Sequence, residues 1–540
     1  MTTQKSKPST AAKKLSATEL YAIAFGLFLG LCIWKFGNPV ILERVITPPN
    51  SWHDAWADAW PIQWVNWLLL AVTIVGGILL VANPLRWRAS RWLWILPLVW
   101  FAWQLFSASQ SPYHDLTTPT LFQYAGCVIS FFLGALVIGN GRGWRLVLIG
   151  LMAAFAFCLV RSVNQKLFEF PAERQMLVEG ERSGWTNMTP DLFLELKHDN
   201  IIINTNGVDV TNPIILAKYE KGRVSGTLVY PNALAGLVLM LLPAALVAVW
   251  QITRNLRPLV CLVAVGLTIF LGIAGLFWSG SKSGWLIALG IGVFWLLRLN
   301  WSPRLKGWLV IVLLAGGLIA FGLRFQNYFA KGATSVGARF DYWRVAARVA
   351  ISHPIVGTGP GTFQRPYGAM KRPESEMARL AHNDYLQQFS DSGFVGGVSY
   401  LAWIALLFWS ISQDGATRAD LTKFGRENRQ FLLSYGLLGS LLPLLWTTGR
   451  KATAKGDWLE FAILTGLIGW FLQGFIEFSL FVPALAWTAF TLAGCLLARS
   501  PGSAGVSPAR ASQPKLAGGT PALPGNSLPG NQVDKAKRAV

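Results

Sequence analysis

Residues 258–278 read "PLVCLVAVGLTIFLGIAGLFW", without one charged side chain. A helix of these 21 residues, rising about 1.5 Å per residue, matches the roughly 30 Å hydrocarbon core of a bilayer. Arg254 and Arg257 stand just before the run and "SGSKSG" (279–284) follows it, so groups that prefer water or headgroups bound it on both sides. Comparable runs recur at 18–36, 64–82, 92–108, 119–139, 143–161, 232–252, 283–298, 306–323, 393–412, 458–477 and 481–498. They are continuously apolar rather than alternating, which excludes a β-barrel. The sequence predicts an all-α polytopic membrane protein of about 12 transmembrane helices with two large outer loops.

Composition agrees. Of 540 residues, 53% are hydrophobic and 14% charged, where soluble domains carry about 25% charged. The net charge of +21 does not point to nucleic acid, because much of it sits in short loops beside spans, where Lys and Arg set orientation. Cys32, Cys127, Cys158, Cys261 and Cys495 all lie in apolar runs and read as small core residues rather than disulfide or metal ligands. No His, Cys, Asp and Glu cluster has metal-ligand spacing, and no metal or other cofactor is expected. The first run follows Lys5, Lys7, Lys13 and Lys14 without a small-residue cleavage site, and reads as a retained span.

With the basic N-terminus inside, the alternate loops predicted to be cytoplasmic hold Arg86, Arg88 and Arg91; Arg142 and Arg145; Arg254 and Arg257; Arg298, Arg304 and Lys306. The run 429–447 is basic on both flanks and contains Gly436, Gly439 and Pro443. It reads as a re-entrant or kinked segment, with a thirteenth span as the alternative. The chain then divides into a cytoplasmic N-terminus (1–17), N-terminal spans (18–161), an outer loop (162–231), central spans (232–323), a second outer loop (324–392), C-terminal spans (393–498) and a tail (499–540). Asn206-Gly207, flanked by mixed apolar and polar residues, marks a β-hairpin in the first outer loop. The tail is rich in Pro, Gly, Ala and Ser and reads as disordered.

The five histidines, His53, His114, His198, His353 and His382, all fall in loops assigned to the outer face. Avoidance of lipid alone would produce that distribution, but it also directs the search for chemistry to that face. "GARFDYWRVAARVAISHP" (337–354) reads as an interfacial helix with Phe340, Trp343, Ala347 and Ala350 on one side. "GTGPG" (357–361) makes a glycine-rich turn whose backbone N–H groups suit an anion, although no Walker pattern follows. A helix starting near Asn383 would place His382 in line with Leu386 and Phe389, and Gly393 would end or bend it. Arg223 and Asn232 lead into one span and Lys282 centres a short outer turn, where a cation is unexpected unless it meets lipid headgroups or an anionic partner.

"RFDYWRVAARVAISHPIVGTGPGTF" followed by "AHNDYLQQFSDSGFVGG" resembles the signature loop of the O-antigen ligase and polymerase family, bacterial membrane glycosyltransferases of GT-C type. "GRVSGTLVYPNALAG" (222–236) resembles the family's arginine and Pro-Asn element, and "SGSKSG" its Ser-Arg turn, with Lys282 where arginine is usual. The resemblance covers roughly residues 220–410 and does not separate members of the family. It implies a metal-independent enzyme of cell-surface polysaccharide synthesis in the bacterial cytoplasmic membrane, with its site facing the periplasm. The donor would be a polyprenyl-diphosphate-linked glycan and the acceptor a lipid, glycan or protein hydroxyl, with membrane lipids as further partners. His382 would be the base and Arg339, Arg223 and Lys282 the diphosphate contacts, with His353, Asn383, Tyr385 and Asn232 in support and Asp384 able to orient His382. Within the family a protein O-oligosaccharyltransferase is the alternative. A transporter or flippase of lipid-linked sugars is the rival from another class, but it should show internal repeats and mid-span charges, neither of which is evident.

Overall fold

Inside a bilayer an apolar run must satisfy its backbone polar groups internally, and a helix does so within one segment. The computed structural model describes residues 14–83, 90–299, 301–330, 334–412 and 458–499. The run 429–447 with its basic flanks, Arg86, Arg88, most of the N-terminus and the tail beyond Arg499 lie outside the described residues.

The long helices are α1 (Ala17–Lys35), α2 (Ile62–Ala82), α3 (Trp92–Ser109), α4 (His114–Ile138) and α5 (Gly143–Arg182). Two short helices follow, α6 (Pro190–His198) and α7 (Pro213–Lys221), then α8 (Pro231–Thr253), α9 (Pro258–Ser279), α10 (Lys282–Arg298) and α11 (Pro303–Ala330). The C-terminal part contains α12 (Thr334–Ser352), α13 (Gln364–Met370), α14 (Asp384–Ser412), α15 (Trp458–Gln473) and α16 (Pro483–Arg499). Among the described residues nine helices are long and apolar enough to cross a membrane, and α10, α15 and α16 are 17, 16 and 17 residues long. The protein is therefore a polytopic, all-α membrane protein.

Several helices outrun their apolar cores, because helical propensity continues past the point where hydropathy falls. α5 extends through a π-helical turn, Gln165–Glu169, to Arg182, so the first outer loop begins as helix rather than at residue 162. α11 runs to Ala330 and α14 begins at Asp384, ahead of the span expected from residue 393. In the opposite sense, α15 stops at Gln473, four residues before the expected end at 477.

α1 lies along α5, where small residues let the two backbones meet. A Cβ on Gly30 would stand 2.8 Å from the Gly150 carbonyl oxygen, so neither backbone could approach this closely with a larger residue there. Outside the bundle, Leu177, Trp185, Leu196 and Ile202 form a small separate core. The expected hairpin belongs to it: β1 (Ile202–Thr205) and β2 (Val208–Thr211) pair antiparallel around Asn206 and Gly207, both at positive φ. α12 is a helix as expected, but it buries Tyr342, Val345, Ala346 and Val349 against Phe363 and Tyr367, and leaves Phe340 61% exposed. Of the expected side, Phe340 stays exposed, Trp343 packs partly against this cluster and Ala350 is buried, while the neighbouring flank rests on the helix's own loop.

α14 bends at Ser392 and Gly393 (φ 68°), as the glycine suggested. Its first half is polar yet enclosed: Gln387, Gln388, Ser390, Asp391 and Ser392 have no exposed surface. Trp100 Nε1 donates to Gln388 Oε1 at 2.9 Å, Gln388 Nε2 to the Tyr124 hydroxyl at 2.6 Å, and Gln104 Nε2 to Ser392 Oγ at 2.9 Å. These groups sit beside the membrane because protein, not lipid, surrounds them. The glycine-rich turn does meet a carboxyl group, but an internal one. Gly361 N–H donates to Asp391 Oδ2 and Gly359 N–H to the Asp391 carbonyl, both at 2.8 Å, so these two N–H groups are not free for a ligand.

Candidate active site

The residues that gather at one end of the bundle come from five chain segments, and each is set by its local backbone. Asn383 caps α14, its Oδ1 accepting from the Leu386 N–H at 2.8 Å. The residue before the cap, His382, has φ 50°, a conformation rare for side chains larger than glycine. This departure takes His382 off the helical path, so the expected alignment with Leu386 and Phe389 does not form. Its ring instead lies against Tyr342 (centroids 5.6 Å apart, 28° between planes) and meets the edge of Phe478 at 4.8 Å. Backbone conformations of this kind cluster at functional sites.

The early end of α15 creates the second half of the site. The turn after Gln473 is fixed by the start of α14: Asp384 N–H donates to the Gly474 carbonyl at 2.7 Å and Asp384 Oδ2 accepts from Leu480 N–H at 3.1 Å. The Tyr385 hydroxyl donates to the Phe471 carbonyl at 2.8 Å. Asp384 and Tyr385 thus hold the turn rather than the histidine. What the turn carries is Glu477, its side chain only 3% exposed. Glu477 Oε1 accepts from Arg339 Nη2 at 2.5 Å and from Asn232 Nδ2 at 2.7 Å. Its other oxygen, Oε2, faces His382 Nδ1 at 3.4 Å.

The cations complete the arrangement. Arg339 on α12 also donates to the carbonyls of Ile476 (3.1 Å) and Ser335 (3.3 Å). Arg223 donates through Nε to the Ser279 carbonyl at 2.7 Å and through Nη2 to Asn232 Oδ1 at 2.8 Å. Burial draws the Arg223 guanidinium below its ordinary pKa. Lys282 is the first residue of α10, and its Nζ lies 3.8 Å from the centre of the Tyr328 ring. Arg324 on α11 packs over Phe277 and lies within electrostatic reach of both Arg223 and Lys282. Arg223 and Lys282 thus each lie within electrostatic reach of the other cations and of Glu477. Such a set repels itself unless an anion joins it.

The structure brings His382, Arg339, Arg223, Asn232 and Lys282 together, with Asn383 and Tyr385 in the scaffold. His353 stays apart: its ring is exposed and bonds to Ser352 Oγ at 3.0 Å. Sequence reasoning missed Glu477, Arg324, Tyr342 and Tyr230, whose hydroxyl accepts from Asn232 Nδ2 at 3.0 Å. Glu477 did carry a signal, an ionisable residue at the end of an apolar run. Among the described residues no group of three or more His, Cys, Asp or Glu side chains could hold a metal ion.

The family model described as O-antigen ligase matches residues 267–401, which include Lys282, Arg339, His353 and His382. Over that segment the chain is similar to the O-antigen ligase family. Arg223, Asn232 and Glu477 lie outside the match, and no curated protein matches the chain.

Proposed function

Proceeding from that family match, we propose that the protein is a glycosyltransferase that moves glycan from a polyprenyl-diphosphate donor to a hydroxyl acceptor, at the periplasmic face of a bacterial cytoplasmic membrane. The observation that carries this reading is the Glu477-centred cluster, in which one carboxylate engages Arg339 and Asn232 and faces His382. With Nδ1 turned to Glu477, Nε2 of His382 is the nitrogen that meets the acceptor. It takes the hydroxyl proton as the acceptor oxygen forms its bond to the anomeric carbon. The bond from that carbon to the diphosphate oxygen breaks on the opposite face, inverting the centre, and the electron pair stays on the phosphate. Arg223, Arg339 and Lys282, with Arg324, receive the growing negative charge; arginines serve as forked donors and lysine as a point charge. Asn232 and Glu477 position Arg223, Arg339 and His382.

The test is release of polyprenyl diphosphate from labelled lipid-linked glycan by the purified protein, wild type against His382→Ala. General bases typically contribute about 10²–10⁴-fold, so His382→Ala should lose at least about 100-fold while still binding donor. Equal release by both proteins would make His382 structural and overturn its assignment.

A further inference from the structure

A cavity begins one residue from Arg223 in the chain. Its volume is about 780 Å³ and it lies between the outer end of α5 and α7, with Gly222 in its wall. That volume is within the range of small-molecule sites, about 300–1,000 Å³. Its lining is mixed in a particular way. Phe170 and Tyr219 present two rings with centroids 5.8 Å apart. Arg174 Nη2 and Glu220 Oε1 lie 3.6 Å apart, both side chains about half exposed (53% and 51%), so the pair offers donors and acceptors to whatever enters. Lys166 adds a further cation. An acyl chain would strip water from these half-exposed charges and return no hydrogen bond, and a bare phosphate would meet the carboxylate. A sugar chain suits both parts, since its hydroxyls donate and accept while its C–H faces lie on aromatic rings.

The cavity is mechanically joined to the cluster. The π-helical turn of α5 supplies Gln165, whose Oε1 accepts from Ser225 N–H (3.1 Å) and Gly226 N–H (2.8 Å). The next residue, Lys166, donates to the Gly222 carbonyl at 3.2 Å, and a Cβ on Gly222 would stand 2.7 Å from its Nζ. Such π turns are rare and frequently mark functional sites. The cavity wall and the Arg223 cation are therefore consecutive residues, Cα atoms about 3.8 Å apart.

We infer that this cavity holds a glycan chain, the sugars of either the donor or the acceptor, beside the reacting centre. The inference rests on the proposed glycosyl transfer, but binding is tested apart from turnover. A benzophenone amino acid at Gln175, which lines the cavity, is introduced into the full chain carrying His382→Ala. Two tritiated probes are used: lipid-linked oligosaccharide and surface glycolipid, each extracted from cells producing the protein. Irradiation should label the Gln175 position at least fivefold above the same group at exposed Ile214, with unlabelled free oligosaccharide competing. Arg174→Gln with Glu220→Gln, both on the surface, should abolish the excess, and the probe captured identifies donor or acceptor as the source. Labelling equal to the Ile214 control with both probes, or labelling that the double variant leaves intact, overturns the cavity assignment. It would do so even if the wild type transfers glycan, and a wild type without transfer would leave a positive labelling result standing.

Discussion

Glu477 accepts from Arg339 and Asn232 through one oxygen and turns the other to His382, so one carboxylate sets two partners with different tasks. Removing one partner of a buried pair leaves the other uncompensated, whereas removing both forgives part of the loss. In SDS unfolding, Glu477→Gln and Arg339→Gln should each destabilise, and the double variant should fall short of their sum by about 0.5–3 kcal/mol. Strict additivity would mean that the pair contributes nothing as a pair. Glu477→Gln should also slow transfer at least about tenfold, equivalent to about 1.4 kcal/mol of barrier. In the proposed site Lys282, whose Nζ rests over Tyr328, would act by charge, since an ammonium has no fork geometry. Lys282→Met should raise the donor KM about tenfold and Lys282→Arg by much less, about 1.4 kcal/mol separating the two; equal effects would remove Lys282 from the diphosphate site. His382, Arg223 and Asn232 drew notice in a polar loop or beside a proline, and Arg339 only through the family resemblance. Glu477 was not, because the apolar residues around it extended a span through the turn that carries it.

At the scale of elements, α14 joins a cap, a polar buried half and a kink, and each was legible to a different degree. Asn383 and Gly393 announce themselves by residue type. The burial of Gln387 to Ser392 depends on α3 and α4, nearly 300 residues earlier in the chain for the Trp100–Gln388 bond (288 positions), and no local pattern reports it. The flank of α12 that packs on Phe363 and Tyr367 was hidden for the same reason. The kink gives a direct comparison. Gly393 holds φ 68°, and a Cβ there would overlap the Ile355 carbonyl. Left-handed backbone at a non-glycine residue costs about 1–3 kcal/mol before any overlap is counted, while loss of an N-cap costs about 1 kcal/mol. Gly393→Ala should therefore lower the thermal midpoint in detergent more than Asn383→Ala does. The reverse order would show that the bend is not what fixes α14.

At the scale of the whole molecule, Arg223, Lys282, Arg339, His382 and Glu477 stand between helices or in the first turns of them, and their contacts place those helix ends on one side of the bundle. The basic turn with Arg254 and Arg257 falls between the other ends of α8 and α9, whose near ends meet Arg223 through Asn232 and Ser279. By the preference of such residues for the cytoplasm, the cluster would face outward, as the proposed function requires. That inference needed only run lengths and charge positions, which is why the architecture was the most legible level, while the site required contacts across hundreds of residues. Its check uses two exposed positions on opposite sides, Ser183→Cys and Asn255→Cys. Four native cysteines are buried and Cys261 is partly exposed, so the background carries Cys261→Ala. In spheroplasts a membrane-impermeant maleimide should label Cys at 183 promptly and Cys at 255 only after lysis. The opposite order would turn the cluster toward the cytoplasm, where a donor and acceptor carried on the outer leaflet could not reach His382, and glycosyl transfer at the periplasmic face would fall with it.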